Sequence, residues 1–201
     1  MIRTLFAAAL AAVSLSGCAL LASPDPVQLY RFGVVDGGSP VTVAEPLELR
    51  LRAVEFPEAT RGDRLLGVTG SEAAYIAGAR WVSPASQLYS TGLESTFGAE
   101  ARTVRLIGRR ELTPVTRVLD VDVRAFETRY ETAGGVPEVV VTVRGRLLRF
   151  PERTVLAEQT FSVSRPAGEN RISAIVAAYD AATRDVNSQI VAWSEANAGR
   201  T

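Results

Sequence analysis

The chain reads as an α+β protein, with a mainly antiparallel sheet and two helices, one mid-chain and one long and C-terminal, packed on one face. Three observations predict this. Three consecutive segments between Leu119 and Val163 carry the period-two alternation of half-buried strands. They are joined by Gly134-Gly135 and by Pro151 to Arg153, connections too short for anything but antiparallel returns. Finally, Ile172, Val176, Tyr179, Thr183, Val186, Ile190 and Trp193 recur at spacings of four and three, one stripe of a helix from about Asn170 to Asn197.

Taken in order, Val27 to Val34 is an opening strand, and Asp36-Gly37-Gly38-Ser39-Pro40 is a turn-rich connection. Leu47, Leu49, Leu51 and Ala53 alternate with Glu48, Arg50 and Arg52, giving a strand with one wet face that Pro57 ends. Arg61-Gly62-Asp63 is a turn into a short strand, Arg64 to Thr69, and Ala73 to Trp81 is a second extended segment. Ser83-Pro84 predicts an N-cap followed by proline at the first helical position. That helix runs to about Phe97, with Leu88, Leu93 and Phe97 on its apolar side, Gly98 near its end and Gly92 as an internal weak point. In the next strand Leu119, Val121, Val123 and Ala125 alternate with Asp120, Asp122 and Arg124, and Phe126 breaks the pattern, which marks a bulge. Val139, Val141, Val143 and Leu147 share a face on the return strand, and Val155, Ala157, Phe161 and Val163 line the third.

The N-terminus has its own signature. Arg3 precedes an apolar run of about eleven residues, Leu5 to Leu15, where a membrane span needs roughly twenty. The run ends in Leu15-Ser16-Gly17-Cys18, the pattern of a bacterial lipobox, and Cys18 is the only cysteine. Residues 1–17 are thus expected to be a lipoprotein signal peptide and Cys18 the acylated new N-terminus. Residues 18–26, with Ser23-Pro24-Asp25-Pro26, form a tether, and 27–201 a single periplasmic domain. Ala19 and Leu20 follow Cys18 and neither is acidic, which favours the outer membrane, facing the periplasm. Palmitate and related acyl chains would supply the anchor.

Composition narrows the chemistry. Net charge is zero, with 22 basic and 22 acidic residues, so there is no basic excess for nucleic acid. Every basic residue is arginine. There is no histidine, and acylation of Cys18 leaves no thiol, which removes His-based nucleophilic catalysis and imidazole or thiolate metal sites. The expectation is a protein that is not an enzyme and has no cofactor, metal or catalytic residues.

Several groups remain as candidates. Asp120 and Asp122 share a strand face and could bind a cation or do acid/base work, or simply pair with Arg144 and Arg146 on the neighbouring strand. Arg144, Arg146, Arg149 and Arg153 cluster around one hairpin, and Arg109-Arg110 adds another pair. Their guanidinium forks suit phosphate, as in a lipid headgroup, but equally suit a charge-balanced solvated face. Arg80-Trp81 is either an interaction hot spot or a tryptophan packed under a helix start. Gly67-Val68-Thr69-Gly70-Ser71 lacks the spacing and lysine of a phosphate loop. The C-terminal stripe is a core face, with a self-association or partner seam at Trp193 as the sharper reading.

Ordered along the chain, the lipobox at Cys18, Leu29-Tyr30, Leu49 to Pro57, Arg64-Leu65-Leu66, Arg80-Trp81-Val82-Ser83-Pro84, the meander ending in Ala157 to Val163 and the long last helix resemble the auxiliary lipoproteins of ABC-type transport systems, the group containing paraquat-inducible protein C. The chain departs from the commoner pattern of that group between Arg64 and Ala79. The resemblance implies a non-catalytic outer-membrane-side component that works with an MCE-domain protein and permease, moving lipids or other hydrophobic molecules between inner and outer membranes. It supplies no catalytic residues. A homo-oligomer is compatible with the last helix. The alternatives are a stand-alone periplasmic carrier holding an acyl chain between helix and sheet, and a carboxylate-based envelope enzyme using Asp120.

Overall fold

A computed structural model describes residues 27–33, 45–107, 111 and 113–200. Cys18, the tether, the Asp36 to Pro40 turn and Arg109-Arg110 lie outside the described residues. In chain order the elements are β1 (Gln28–Tyr30), β2 (Leu47–Leu51), β3 (Arg64–Thr69), β4 (Glu72–Trp81), α1 (Ala85–Glu100), β5 (Val104–Ile107), β6 (Arg117–Tyr130), β7 (Glu138–Arg149), β8 (Thr154–Pro166) and α2 (Ile172–Asn197). The α+β class and the two helices are as expected. Strand β5 is not anticipated by the sequence reading, since four residues are too few to display a period.

The sheet is mixed, which corrects the mainly antiparallel expectation. The hairpin pairs β3/β4, β6/β7 and β7/β8 are antiparallel. By contrast β1/β4, β2/β5, β2/β6 and β3/β6 are parallel. The physical reason is that alternation reports which face of a strand is buried and says nothing of its neighbour's direction. Parallel pairing needs long crossovers, and the β3–β4–α1 excursion supplies one between β2 and β5. The axis of the sheet is β6. One of its edges pairs with β7 along most of its length, while the other carries β2 near Leu119 and β3 near Thr128, bridged between them by Glu55 opposite Asp122.

The core lies between the sheet and the helices. Leu119, Val121 and Val123 of β6 and Val139, Val141, Val143 and Leu147 of β7 are buried there. A register shift after Val123 inserts one extra residue in β6, so that Phe126 and Thr128 return to the same buried face. This is the bulge that the broken alternation marks. Phe126 then joins an aromatic cluster, with ring centroids 5.0 Å from Phe32, 5.5 Å from Phe56 and 4.7 Å from Tyr179. Phe56 in turn meets Tyr89 of α1 at 5.6 Å, so both helices reach the same layer. The Tyr179 hydroxyl, 3.2 Å from the Thr128 hydroxyl, has a polar partner, and burial pushes its pKa up. In β8 a second shift, between Leu147 and Leu148 of the partner strand, turns Val155 outward. Val155 is therefore exposed, a correction to its expected place in the buried row.

Helix α2 buries a wider face than the predicted stripe. Tyr179, Thr183, Val186, Ile190 and Trp193 are joined by Ile175, Ala178, Ala182 and Val191, because the helix packs on both the sheet and α1. The expected seam at Trp193 is used within the fold. Its ring lies 5.7 Å from that of Phe161, edge-on, over Gly145, where a Cβ would sit 3.3 Å from the indole. Beyond α2, Arg117 donates to the carbonyl oxygens of Ala198 and Arg200, placing a cation at the helix C-terminus.

Helix α1 starts at Ala85 with Pro84 as its N-cap, not Ser83, and no side chain caps it. Backbone supplies the bonds instead: Ala85 N–H donates to Gly62 O at 2.8 Å. Tyr89, absent from the predicted apolar side, is fully buried. Gly92 has a reason beyond helix propensity. A Cβ there would meet the Gly33 carbonyl oxygen at 3.0 Å, and Gly33 is itself held at φ +72° with its N–H donating to Asp180 at 2.8 Å. Gly92→Ala should therefore destabilise by about 1–2 kcal/mol despite alanine's better helix propensity. A thermal melt showing a higher midpoint would refute the close-approach account.

The segment after α1 is tied to α2 by one carboxylate. Glu195 accepts from the backbone N–H of Thr103 at 2.7 Å and of Arg102, and from the Thr103 hydroxyl at 3.1 Å. Burial pushes its pKa up, but these bonds and the Arg102 charge outweigh it, holding the carboxyl below the usual range. A depressed folded-state pKa gives stability that is complete above the unfolded value and lost as pH falls through the folded one. Glu195→Ala is thus expected to flatten part of the stability loss below about pH 4.5. Parallel acid-unfolding curves for the variant and the parent would contradict this.

Candidate functional site

The face of the sheet away from the helices is built in cross-strand rows, because β2, β6 and β7 each send alternate residues there. In the first row Leu148, Val118 and Arg50 lie side by side. In the second, Arg146 and Arg52 flank Asp120, with Arg146 in direct hydrogen-bonded contact and Arg52 at 3.5 Å. In the third, Arg144 at 2.9 Å and Arg124 at 2.8 Å both meet Asp122. Asp120 is 3% exposed even though it faces outward, because the two guanidinium groups cover it.

This arrangement decides between the readings of the acidic pair. Asp120 and Asp122 each hold two arginines, and among the described residues no cluster of three or more metal-ligating side chains occurs. The two carboxylates therefore serve as counter-ions that seat arginines on the sheet. The arginine cluster of the β7–β8 hairpin is split by the same geometry. Arg144 and Arg146 are neutralised by the carboxylates across the strand. Arg149 and Arg153 have no ion pair among the described residues, and the Arg149 Nε is buried with no protein partner.

Arg149 and Arg153 stand instead beside a cavity of about 430 Å³ at the end of the first row. Val118 and Leu148 line it from the sheet, Phe150 from the hairpin, and Thr113 to Val115 from the segment leading into β6. Arg50 fastens that segment by donating to the carbonyl oxygens of Glu111, at 2.9 Å, and Thr113. Phe150 is 49% exposed, and its N–H donates to Thr116 O at 2.9 Å. Arg153 takes a left-handed backbone, φ 59°, in the turn that presents it. Arg50, Arg52, Arg149 and Arg153 thus line a cavity with an apolar floor, and Arg52 shares Asp120 with Arg146. Sequence reading misses this pocket. Arg50 and Arg52 are visible only as the wet side of a strand, and nothing in their spacing brings them to residues a hundred positions away.

The other singled-out residues are structural. Trp81 is buried against Phe32 at 4.8 Å and Tyr179 at 5.3 Å, and Arg80 donates to both oxygens of Asp63, at 2.9 and 3.1 Å. Gly70-Ser71 forms the two-residue loop of the β3–β4 hairpin, with Gly70 at φ +57°, as the missing phosphate-loop spacing implies. No helix among the described residues is long and apolar enough to cross a membrane.

Comparison with solved structures supports the fold. A crystallised protein of Xanthomonas campestris superposes with a TM-score of 0.70 at 21% identity, covering 84% of this chain and 95% of its own. A second crystallised protein of uncharacterised function gives 0.64 at 14% identity, covering 84% and 99%. A hypothetical protein of Chlamydia trachomatis gives 0.50 at 11% identity, covering 78% and 99%. No curated protein matches the sequence. The family model described as ABC-type transport auxiliary lipoprotein component matches residues 31–191, which takes in β2 to β8, α1, most of α2 and the pocket, and the chain belongs to that family.

Proposed function

We propose that the protein is an outer-membrane-anchored lipoprotein facing the periplasm that serves, without catalysis, as the docking component of an MCE-type ABC system. That system would move lipids or other hydrophobic molecules between the two membranes. The family match carries this reading, and the lipobox ending in Cys18 supplies the anchor. Residues 1–17 are removed, 18–26 tether the protein, and 27–201 form the periplasmic domain. The absence of histidine and of any free thiol after acylation fits a binding role. So does the occupation of Asp120 and Asp122 by arginines, which takes away the best general acid. The stand-alone carrier is less favoured, because Phe126, Tyr179, Val121 and Ile190 fill the layer between helices and sheet where its acyl chain would lie.

Cross-linking in intact cells tests the role. The lipoprotein should trap an MCE-domain protein, and failure to recover one from cells rich in the lipoprotein would overturn the docking assignment. Cys18→Ser should abolish labelling by palmitate and move the protein out of the outer-membrane fraction. Unchanged labelling and fractionation would remove the anchor.

A further inference from the structure

We infer that the cavity at the β6–β7 end of the sheet is a binding site for an anionic amphiphile, a phosphate mono- or diester head carrying an apolar chain. Both halves of the ligand are written in the lining. Val118, Leu148 and Phe150 give the cavity of about 430 Å³ an apolar floor, and that volume takes part of an acyl chain. Arg50, Arg52, Arg149 and Arg153 line it, Arg52 sharing Asp120 with Arg146, and fork-shaped donors of this kind match phosphate oxygens.

The charge balance is what sets this cavity apart from the rest of the same face. One step along the strands, every arginine of the next two rows has a carboxylate beside it. Among the described residues, no carboxylate lines the cavity. Val118 stands where Asp120 and Asp122 stand in their rows, and its strand neighbours Arg50 and Leu148 bring one cation and one more apolar group. Arg50 spends its donors on backbone carbonyls, which hold the wall but do not neutralise it. Arg153 has no ion pair among the described residues and is presented by a left-handed backbone that a glycine would adopt more readily. A phosphate without an apolar chain would leave the floor unused. An apolar chain without a charge would leave the lining with more cations than carboxylates.

The experiment uses the full-length lipoprotein in a nonionic detergent, titrated in a calorimeter with short-chain phosphatidylglycerol. Saturable binding is expected. Short-chain phosphatidylcholine and inorganic phosphate should each bind about tenfold more weakly, the effect of losing net charge or apolar contact. The Arg149→Gln/Arg153→Gln variant should lose about tenfold in affinity for phosphatidylglycerol. Arg153→Gly, which suits the left-handed backbone, should keep the melting temperature and still bind less tightly. Absence of saturable binding overturns the inference, as does equal affinity in the double variant. Equal binding of inorganic phosphate would make the site one for a soluble anion, and equal binding of phosphatidylcholine would show that the site does not select a net negative head; either result overturns the assignment. The inference stands apart from the docking role, since these affinities do not depend on recovering an MCE-domain partner.

Discussion

Phe126→Ala is expected to lower stability by about 4 kcal/mol, read as a fall of about 10 °C in the melting midpoint. The side chain is 2% exposed and lies within 6.3 Å, centroid to centroid, of Phe32, Phe56, Trp81 and Tyr179. These rings come from the segment after β1, the loop after β2, the end of β4 and α2. A cavity at this point would be walled by backbones that cannot close on it together, so the transfer loss and the cavity term add. The bulge in β6 is what delivers Phe126 to this position. Phe126→Leu, which keeps most of the volume, should cost less than half as much. A loss of under about 1 kcal/mol for the alanine variant in urea titration would contradict the central place given to this ring.

Asp120→Ala should cost about 2 kcal/mol, well above the effect of Asp122→Ala, which we expect to stay near 1 kcal/mol. Both carboxylates meet two arginines, so pair counting alone would rank them equal. Burial separates them. The Asp120 side chain is 4% exposed and that of Asp122 19%. The arginine partners of Asp120 are 54% (Arg52) and 32% (Arg146) exposed and regain water when the carboxylate goes, which keeps the loss below that of a fully buried pair. Equal destabilisation of the two variants in denaturant would show that the rows act as simple surface pairs. Raised salt should weaken Asp122 more than Asp120, because the covered pair is less screened.

How far the sequence reaches can be judged residue by residue. Leu119, Val121, Val123, Val139, Val141, Val143 and Leu147 sit on the buried face that their alternation predicts, and Arg64 to Thr69 is a strand over the residues expected. The pairing of Asp120 and Asp122 with Arg146 and Arg144 is legible only as complementary charge on neighbouring strands, because the connection from Tyr130 to Glu138 and the bulge after Val123 together set the register. Val155 fails because one extra residue in β8 inverts every side chain before it, and no residue type announces that insertion. Tyr89 and Gly92 fail because their roles depend on what α1 packs against: Phe56 in one case and Gly33 in the other.

By itself the chain's order of residues settled the α+β class, most strand and helix spans, the buried face of the meander and the family. Each of these depends on contacts between residues close in sequence or on patterns that repeat locally. Only the tertiary structure decided that β2 and β3 run parallel to β6, that Trp193 is spent inside the fold, and that Arg50 and Arg52 meet Arg149 and Arg153 around one cavity. Those facts join segments up to a hundred residues apart. Strand direction and neighbour choice come from chain closure and core packing, which leave no periodic mark on the residues they bring together.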